Sequence, residues 1–428
     1  LSSRLRELMG VYADEAERCI RCGFCNSVCP TTLSSIGHIP SRTSRGRLVL
    51  LQSSLENGTP YPFTPRFKEL IDLCIGCQRC VSVCPARIPI PTVMSSYRRA
   101  YTVAVGGKSL SRGEWVVANY EPVVKYLSRT PAPLRRILLG KPLLWLFKRV
   151  GDFADDAPLP IPEGGTLDKH FKNSTPRPGY QTLAYFSDTY ARFVKPSIGV
   201  SARMLLRTAE IELVYPRQYD SGVIFWELGL WDKVEKLAVR NVESLSEEVE
   251  KGRRILCTSP ASTLMLREVY PKLLDSEKSR AVSDAVVDIN ELINSLVESG
   301  RLSANLSGLS FVLHSTCLSQ YLRLTSQISS SFQKLGAHVG GVVSECCGSG
   351  GLWGLFRKNR ELSIEIGGKL LRRLGSSGTV LSYSETCVQQ IISLTKGSMT
   401  VQLPHEALYN WVRMAATQYG AEHISQAT

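Results

Sequence analysis

The sequence predicts an α+β multi-domain protein: a small all-helical, cysteine-rich N-terminal domain, then two pseudo-repeated α/β subdomains with parallel sheets. Three observations predict it. One cysteine spacing is written twice within the first ninety residues. From Tyr180 onward, short apolar runs alternate with amphipathic stretches, the texture of parallel strands joined by helices. The pattern of about 180–275 then returns, altered, over 308–395. The expected division is 1–104 for the helical domain, 105–178 for a connector, and 179–300 and 301–428 for the two α/β subdomains.

Residues 4–18 read as a helix with Leu5, Leu8, Val11 and Tyr12 on one face. It leads into Cys19, Cys22, Cys25 and Cys29, followed by Pro30; the second run is Cys74, Cys77, Cys80 and Cys84, followed by Pro85. Each reads C-x-x-C-x-x-C-x-x-x-C-P, the ligand spacing of bacterial-type iron–sulfur proteins. Two-residue gaps let three thiolates converge on one cluster, while the fourth, a helical turn further on, points elsewhere. That geometry pairs Cys19, Cys22 and Cys25 with Cys84 on one [4Fe–4S] cluster, and Cys74, Cys77 and Cys80 with Cys29 on the other. Zinc sites favour two C-x-x-C pairs across a longer gap, and disulfides suit small secreted chains. A two-cluster ferredoxin-type domain fits better than either. Between the runs lie a helix from about Arg45 to Leu55, stopped at Asn57–Gly58, and a turn at PYPFTP. FKELIDL begins the helix feeding Cys74, and RIPIPTVMSSYRRAY is helical after Pro85.

The connector is basic and apolar at once. In PAPLRRILLGKPLLWLFKRVGDF, Arg135, Arg136, Lys141, Lys148 and Arg149 flank Trp145 and Phe147. This suits an interfacial helix or hairpin over residues 131–150 lying on anionic lipid, or an ordinary amphipathic helix packed on a neighbour. DDAPLPIPEGG reads as a proline-rich linker. The net charge of +13 asks for an anionic partner. No nucleic-acid module is visible, so an anionic membrane surface or an acidic protein is expected and nucleic acid is not. No apolar run approaches the length of about 18 residues that a spanning helix needs. Thirteen cysteines without a visible secretory signal point to a reducing compartment and to metal ligation.

In the α/β half, TLAYF, EIELVY and RRILCTS read as strands, as do LSFVLH, HVGGVVS and TVLSYS, with helices after 195, 228, 260, 317, 352 and 386. Cys317, Cys346, Cys347 and Cys387 each follow a strand end, where ligands sit in such sheets. They are expected to hold a third iron–sulfur cluster or zinc, or to do thiol chemistry through the vicinal pair. In the first subdomain the matching positions carry no thiol: Thr189 stands for Cys317, Asp220–Ser221 for Cys346–Cys347, and Ser262 for Cys387. Hydroxyls and one carboxylate are weak metal ligands, and the lone Cys257 falls within a strand as core. His314 and His405 are placed to hydrogen-bond a cluster sulfur or a quinone carbonyl, or simply to pack.

These residues resemble the family of iron–sulfur subunits that serve anaerobic glycerol-3-phosphate dehydrogenase (its C subunit) and glycolate oxidase. The D subunit of heterodisulfide reductase is a more distant relative. The twin cysteine runs, TSRGRLVLL, AVRNVESLSEEVEKG, STLMLREVYPKLL, ECCGSGGLWGL, SETC and PHEAL carry the resemblance. It implies an electron-transfer subunit rather than a stand-alone enzyme. An FAD-containing dehydrogenase partner would oxidise glycerol-3-phosphate, glycolate or lactate, and electrons would pass through [4Fe–4S] clusters toward quinone or a membrane anchor. The subunit would sit peripherally on the cytoplasmic side of the membrane. The resemblance also implies that Cys317, Cys346, Cys347 and Cys387 are ligands. Ser384 departs from the family's pattern, which has a cysteine there. That loss and the emptied first repeat count against a heterodisulfide or thiol-disulfide reductase; a zinc-stabilised docking scaffold is the remaining alternative.

Overall fold

The computed structural model describes residues 2–57, 61–107, 109–172, 174–375 and 378–425. Its N-terminal part is helical: α1 (Ser2–Met9), α2 (Val11–Glu17), α3 (Ser44–Asn57), α4 (Pro65–Ile71), α5 (Arg79–Val83) and α6 (Ile90–Ala104), joined by cysteine loops and short 3-10 turns. The single helix expected over 4–18 is two, broken at Gly10, whose φ of 56° and ψ of −139° no helix accommodates. The break turns the buried face. Leu5, Met9, Ala13 and Ala16 point inward, whereas Val11, expected on the apolar face, is 69 % exposed. Arg6 spans the break to Asp14 and Glu17. α3 ends at Asn57; Gly58, the second residue of its expected stop, lies outside the described residues, as does Pro60 of the expected turn. α4 is capped by Thr64, whose side chain accepts from the Phe67 N–H. α6 starts at Ile90, three residues later than Arg87, because Pro91 sits in its first turn and Arg87 has a φ of 51°.

The connector is largely helical: α7 (Arg112–Ala118), α8 (Tyr120–Arg129), α9 (Ala132–Leu138) and α10 (Lys141–Val150). α9 and α10, joined through Leu139 and Gly140, bury no residue. The proline-rich stretch after it is not a loose linker. Ala154 and Ala157 are buried, Phe153 stacks on Phe356 at 5.6 Å, and Asp156 pairs with Arg360 at 2.9 Å.

Eight strands follow in two four-stranded, fully parallel sheets. β1 (Gln181–Phe186), β2 (Ile211–Val214), β3 (Ile255–Cys257) and β4 (Val286–Asp288) are ordered β2-β1-β3-β4. β5 (Ser310–His314), β6 (His338–Val343), β7 (Thr379–Ser382) and β8 (Thr400–Gln402) are ordered β6-β5-β7-β8. β4 and β8 were not expected from sequence: each has three residues and runs directly into a helix. The registers match as well as the orders, since Phe186 pairs with Cys257 in one sheet and His314 with Ser382 in the other. One apolar core runs across both sheets, from Leu183 and Tyr185 through Ile289 to Leu313, Tyr383 and Leu408. The Tyr383 hydroxyl donates to Asp288 at 2.7 Å and ties the sheets together.

Candidate metal centre

The two cysteine loops share one unusual backbone. In the first, Arg21 and Gly23 have φ of 59° and 86°; in the second, Gly76 and Gln78 have φ of 69° and 59°. These are the third and fifth positions of each run, so each loop turns twice through the left-handed region, once at glycine and once at a larger residue. Holding Arg21 and Gln78 there costs on the order of 1 kcal/mol each. Alternation of this kind aims successive N–H groups into a concavity that attracts anions, as around iron–sulfur clusters.

Thiols of the two runs bear on one another. Burial pushes the Cys80 thiol well above its usual range, and Cys77, Cys74, Cys29 and Cys25 add to the rise in that order. Cys29 and Cys25, both of the first run, thus bear on a thiol of the second. Burial also raises Cys25, whose neighbours are Cys29, Cys19 and Cys22. Buried thiols crowded in this way cannot all lose their protons beside one another unless a cationic core takes up the charge. That donor set and the backbone cradle fit [4Fe–4S] clusters held by Cys19, Cys22, Cys25 and Cys84 and by Cys74, Cys77, Cys80 and Cys29. Such a cluster supplies one-electron transfer at a potential set by burial and by hydrogen bonds to sulfur.

Arg47 was not anticipated. It lies in α3, buried, with Nη2 3.4 Å from Cys29 Sγ and Nη1 3.2 Å from Thr31 Oγ1. Burial works to raise the Cys29 thiol, but the Arg47 guanidinium and hydrogen bonds from Thr31 and Thr32 outweigh it and hold the thiol below its ordinary value. The sequence signal was a lone arginine on the inward face of an apolar helix. Arg98 in α6 is the second such group. It donates to the Cys74 carbonyl at 2.8 Å and to Asp72 at 2.9 Å, and Asp72 also accepts from Lys68 at 2.5 Å.

The C-terminal cysteines come together at the carboxyl ends of β5, β6 and β7, against the N-terminal domain. Cys346, Cys347 and Cys387 are buried, and Cys347 Sγ lies 3.0 Å from Cys387 Sγ. Burial, and then Cys346, raise the Cys317 thiol to about 12 against the opposing charge of Arg79. The thiol of Cys77 is raised by burial, then by Cys317, Cys29 and Cys346. One cysteine thus stands between the second run and the C-terminal group. Gly350 makes the approach possible, because a Cβ there would sit 2.9 Å from Ile75 Cβ. Trp353 Nε1 donates across the junction to the Asp72 carbonyl at 3.0 Å.

All of this borders a cavity of about 250 Å³ lined by Cys74, Cys77, Cys317, Cys346, Cys347 and Cys387. Neither histidine lines it. His314 is buried, with Nδ1 2.9 Å from Ser382 Oγ and Nε2 3.0 Å from the Glu345 carbonyl. Burial lowers its pKa to about 4, so a neutral ring braces the loop entering Cys346. His405 is buried against the Ile198 carbonyl at 3.3 Å, its pKa likewise lowered to about 4 by burial. Cys257 is fully buried in the first sheet, its thiol pushed up by burial and then by Asp288.

Comparison with known proteins agrees with this geometry. Residues 15–88 match the 4Fe-4S dicluster domain family. The C subunit of the anaerobic glycerol-3-phosphate dehydrogenase of Escherichia coli (strain K12) is 25% identical over 388 residues, 88% of this chain and 93% of that protein. The glycolate oxidase iron-sulfur subunit of the same strain is 21% identical over 408 residues, 89% and 93% of the two chains. Its D-2-hydroxyglutarate dehydrogenase is 22% identical over 325 residues, 72% of this chain but 31% of that longer protein. The chain thus carries a 4Fe–4S dicluster domain, and over nearly its whole length it is a homologue of these glycerol-3-phosphate dehydrogenase and glycolate oxidase subunits.

Proposed function

We propose that this chain is the electron-relay subunit of a flavin-dependent dehydrogenase acting on a small hydroxy compound of the glycerol-3-phosphate, glycolate or lactate class. It takes electrons from an FAD-containing partner and passes them toward quinone on the cytoplasmic face of a membrane. The observation that carries the reading is the file of cysteines from surface to interior. Cys22 is exposed, beside the exposed apolar side chains of Ile20 and Phe24, which suit a docking partner. Cys29 crosses to the second run, and Cys77 stands against Cys317 and Cys346. Electrons enter at the Cys22 end and leave by the C-terminal site.

That last site holds a third [4Fe–4S] cluster on Cys317, Cys346, Cys347 and Cys387. The two α/β subdomains are copies of one unit, divided at residues 178 and 300, of which the first lost its ligands; their shared strand order and register support this. The α9–α10 segment is the membrane contact. Ile137, Trp145, Leu146 and Val150 are 66, 53, 51 and 58 % exposed, among Arg135, Arg136, Lys148 and Arg149. An apolar face set among basic residues is the chemistry of an interfacial helix on anionic lipid. Among the described residues no helix is long and apolar enough to cross a membrane.

Metal analysis and EPR on anaerobically purified protein test the relay. Three tetranuclear clusters give about twelve irons per chain. Eight irons with one zinc would make the C-terminal half a zinc-stabilised scaffold. Clusters that fail to re-oxidise with any acceptor would end the relay reading altogether.

A further inference from the structure

We propose that the cavity beside Cys317, Cys346 and Cys387 binds a neutral two-electron, two-proton acceptor of the quinone class, seated over the thiol-free site of the first subdomain. The inference rests on the relay proposed above and names where its electrons leave. The same cavity is lined by Asp188, Thr189, Asp220 and Ser259. Aligned through the Phe186–Cys257 and His314–Ser382 pairs, Asp188, Thr189 and Ser259 occupy the places of Thr316, Cys317 and Ser384, and the sequence spacing sets Asp220 against Cys346. The first unit therefore presents carboxyl and hydroxyl groups where the second presents thiols, and both open on one space.

Glu385, which lines the cavity, is buried and its Oε1 has no hydrogen-bond partner. Behind the wall, in the loops of the first unit that answer to Cys347 and Cys387, Ser221 Oγ and Ser262 Oγ are likewise buried without a partner. Buried polar atoms of this kind are normally satisfied, and a ligand carbonyl in the cavity would give the Glu385 carboxyl its partner.

The rest of the lining restricts the ligand's chemistry. Ile224, Leu264, Met265 and Leu318 supply apolar surface for a flat, apolar body. Asp188, Asp220, Glu227 and Glu385 place carboxyl groups on the cavity, while Lys68 and Arg98, which also line it, are already engaged by Asp72. Lys358, the remaining lysine, is exposed. A carboxylate or phosphate substrate would be repelled; a neutral carbonyl compound would not. Burial raises Asp188 to about 6, so the group is able to hold and release a proton near neutrality. Its Oδ1 accepts from the Ala191 N–H at 2.9 Å, which fixes its position.

In the reduction, the acceptor's two C=O groups become two C–OH groups. Two electrons arrive singly from the relay, which the flavoprotein partner has reduced. Each proton comes from the Asp188 carboxyl, re-protonated from water between transfers.

The test uses the full chain with its clusters and a water-soluble short-chain benzoquinone. Binding is measured by equilibrium dialysis of the oxidised protein, and reduction by stopped flow after dithionite. Ala261, half-buried on the cavity wall, is replaced by tryptophan (Ala261→Trp) to fill the space. This is expected to weaken binding at least tenfold while iron content and electron transfer to ferricyanide stay unchanged. Asp188→Asn is expected to keep binding within threefold and to slow quinone reduction about a hundredfold, the scale of a lost general acid. Should Ala261→Trp lose iron, Asp188→Asn decides alone through its split between binding and rate. Unchanged quinone binding in an iron-replete Ala261→Trp protein, or an unchanged rate in Asp188→Asn, overturns the site. Wild-type protein that reduces ferricyanide yet binds no quinone overturns this inference and leaves the relay standing. Clusters that do not cycle at all overturn both.

Discussion

Replacing Arg47 by methionine (Arg47→Met) removes a buried cation from beside Cys29 while keeping most of the side-chain volume. The guanidinium donates to Cys29 Sγ at 3.4 Å, which places its charge about 7 Å from the centre of a cluster on that thiolate. At an effective dielectric of about 20, unit charges that far apart interact by about 2.4 kcal/mol. For a one-electron couple, at 59 mV for each tenfold change in equilibrium, this is about 100 mV. Losing a positive charge disfavours the reduced, more negative state, so the potential moves down. The assay is a potentiometric titration followed by EPR. The shift falls on the cluster whose signal Cys77→Ser alters, because Cys29 crosses to the second run. A shift below about 30 mV, or one confined to the other cluster, refutes the reasoning: in the first case Arg47 would not sense the cluster charge, in the second the pairing would be wrong.

Asp72→Ala leaves the buried Arg98 without its carboxylate partner, while Lys68 keeps Glu114 at 3.2 Å; it is expected to cost about 3–5 kcal/mol, read as a lower urea midpoint for loss of the cluster absorbance. Burial works to raise the Asp72 carboxyl, but Lys68 and Arg98 hold it below its ordinary 3.8. Its contribution is therefore complete above pH 3.8 and disappears as pH falls toward the lower folded value, so acid titration of the wild type should show an iron-release step below about pH 4 that Asp72→Asn lacks. Gly348→Ala places a Cβ 2.1 Å from the Ser363 carbonyl at a φ of 79°; metal analysis should find about eight of about twelve irons retained, and full retention would remove this loop from the third site. Changing Arg135, Arg136, Lys148 and Arg149 together to glutamine removes about 1 kcal/mol each of attraction to an anionic surface, lowering partition into phosphatidylserine vesicles about a thousandfold at low salt. Equal partition would leave the segment without its membrane.

The cysteine spacing and the strand–helix alternation were legible because each is a local pattern with a physical period. Of the 13 cysteines, eight fall in loops, four (Cys25, Cys80, Cys317 and Cys387) in the first turns of helices, and Cys257 in a strand. What was not legible depends on packing. β4 and β8 have three residues each, as β3 does, but they abut the helices that follow, whose pattern covers them, and they pair along the edges of β3 and β7. Val11 was placed on the wrong face because a helical period was carried through Gly10. For His314 the sequence leaves a cluster sulfur, a quinone carbonyl or simple packing open, and only the fold shows both nitrogens taken by Ser382 and Glu345. The nearness of Cys77 to Cys317 joins loops 240 positions apart (317 less 77), and nothing in a single sequence marks that.

Charge shows why the arginines were missed. A net charge of +13 read along the chain suggests an anionic partner outside it. The fold turns some of that charge inward, to the cysteine loops. Arg47 meets Cys29, Arg98 holds the loop at Cys74, and Arg79 bears on Cys317 and Cys346. Thiolate-bound clusters are buried anions, and a buried anion is stable only when paired or hydrogen-bonded. Arg47 and Arg98 both stand at the second cluster of the crossed pairing and Arg79 at the C-terminal cysteines, so the interior charge bears on two stages of the cysteine file. The surplus is then of two kinds: one tunes the interior, and the other, gathered on α9 and α10, faces out. They are separable by experiment, because salt screens exposed charges far more than buried ones. Raising ionic strength should release the protein from anionic vesicles while leaving its cluster potentials in place.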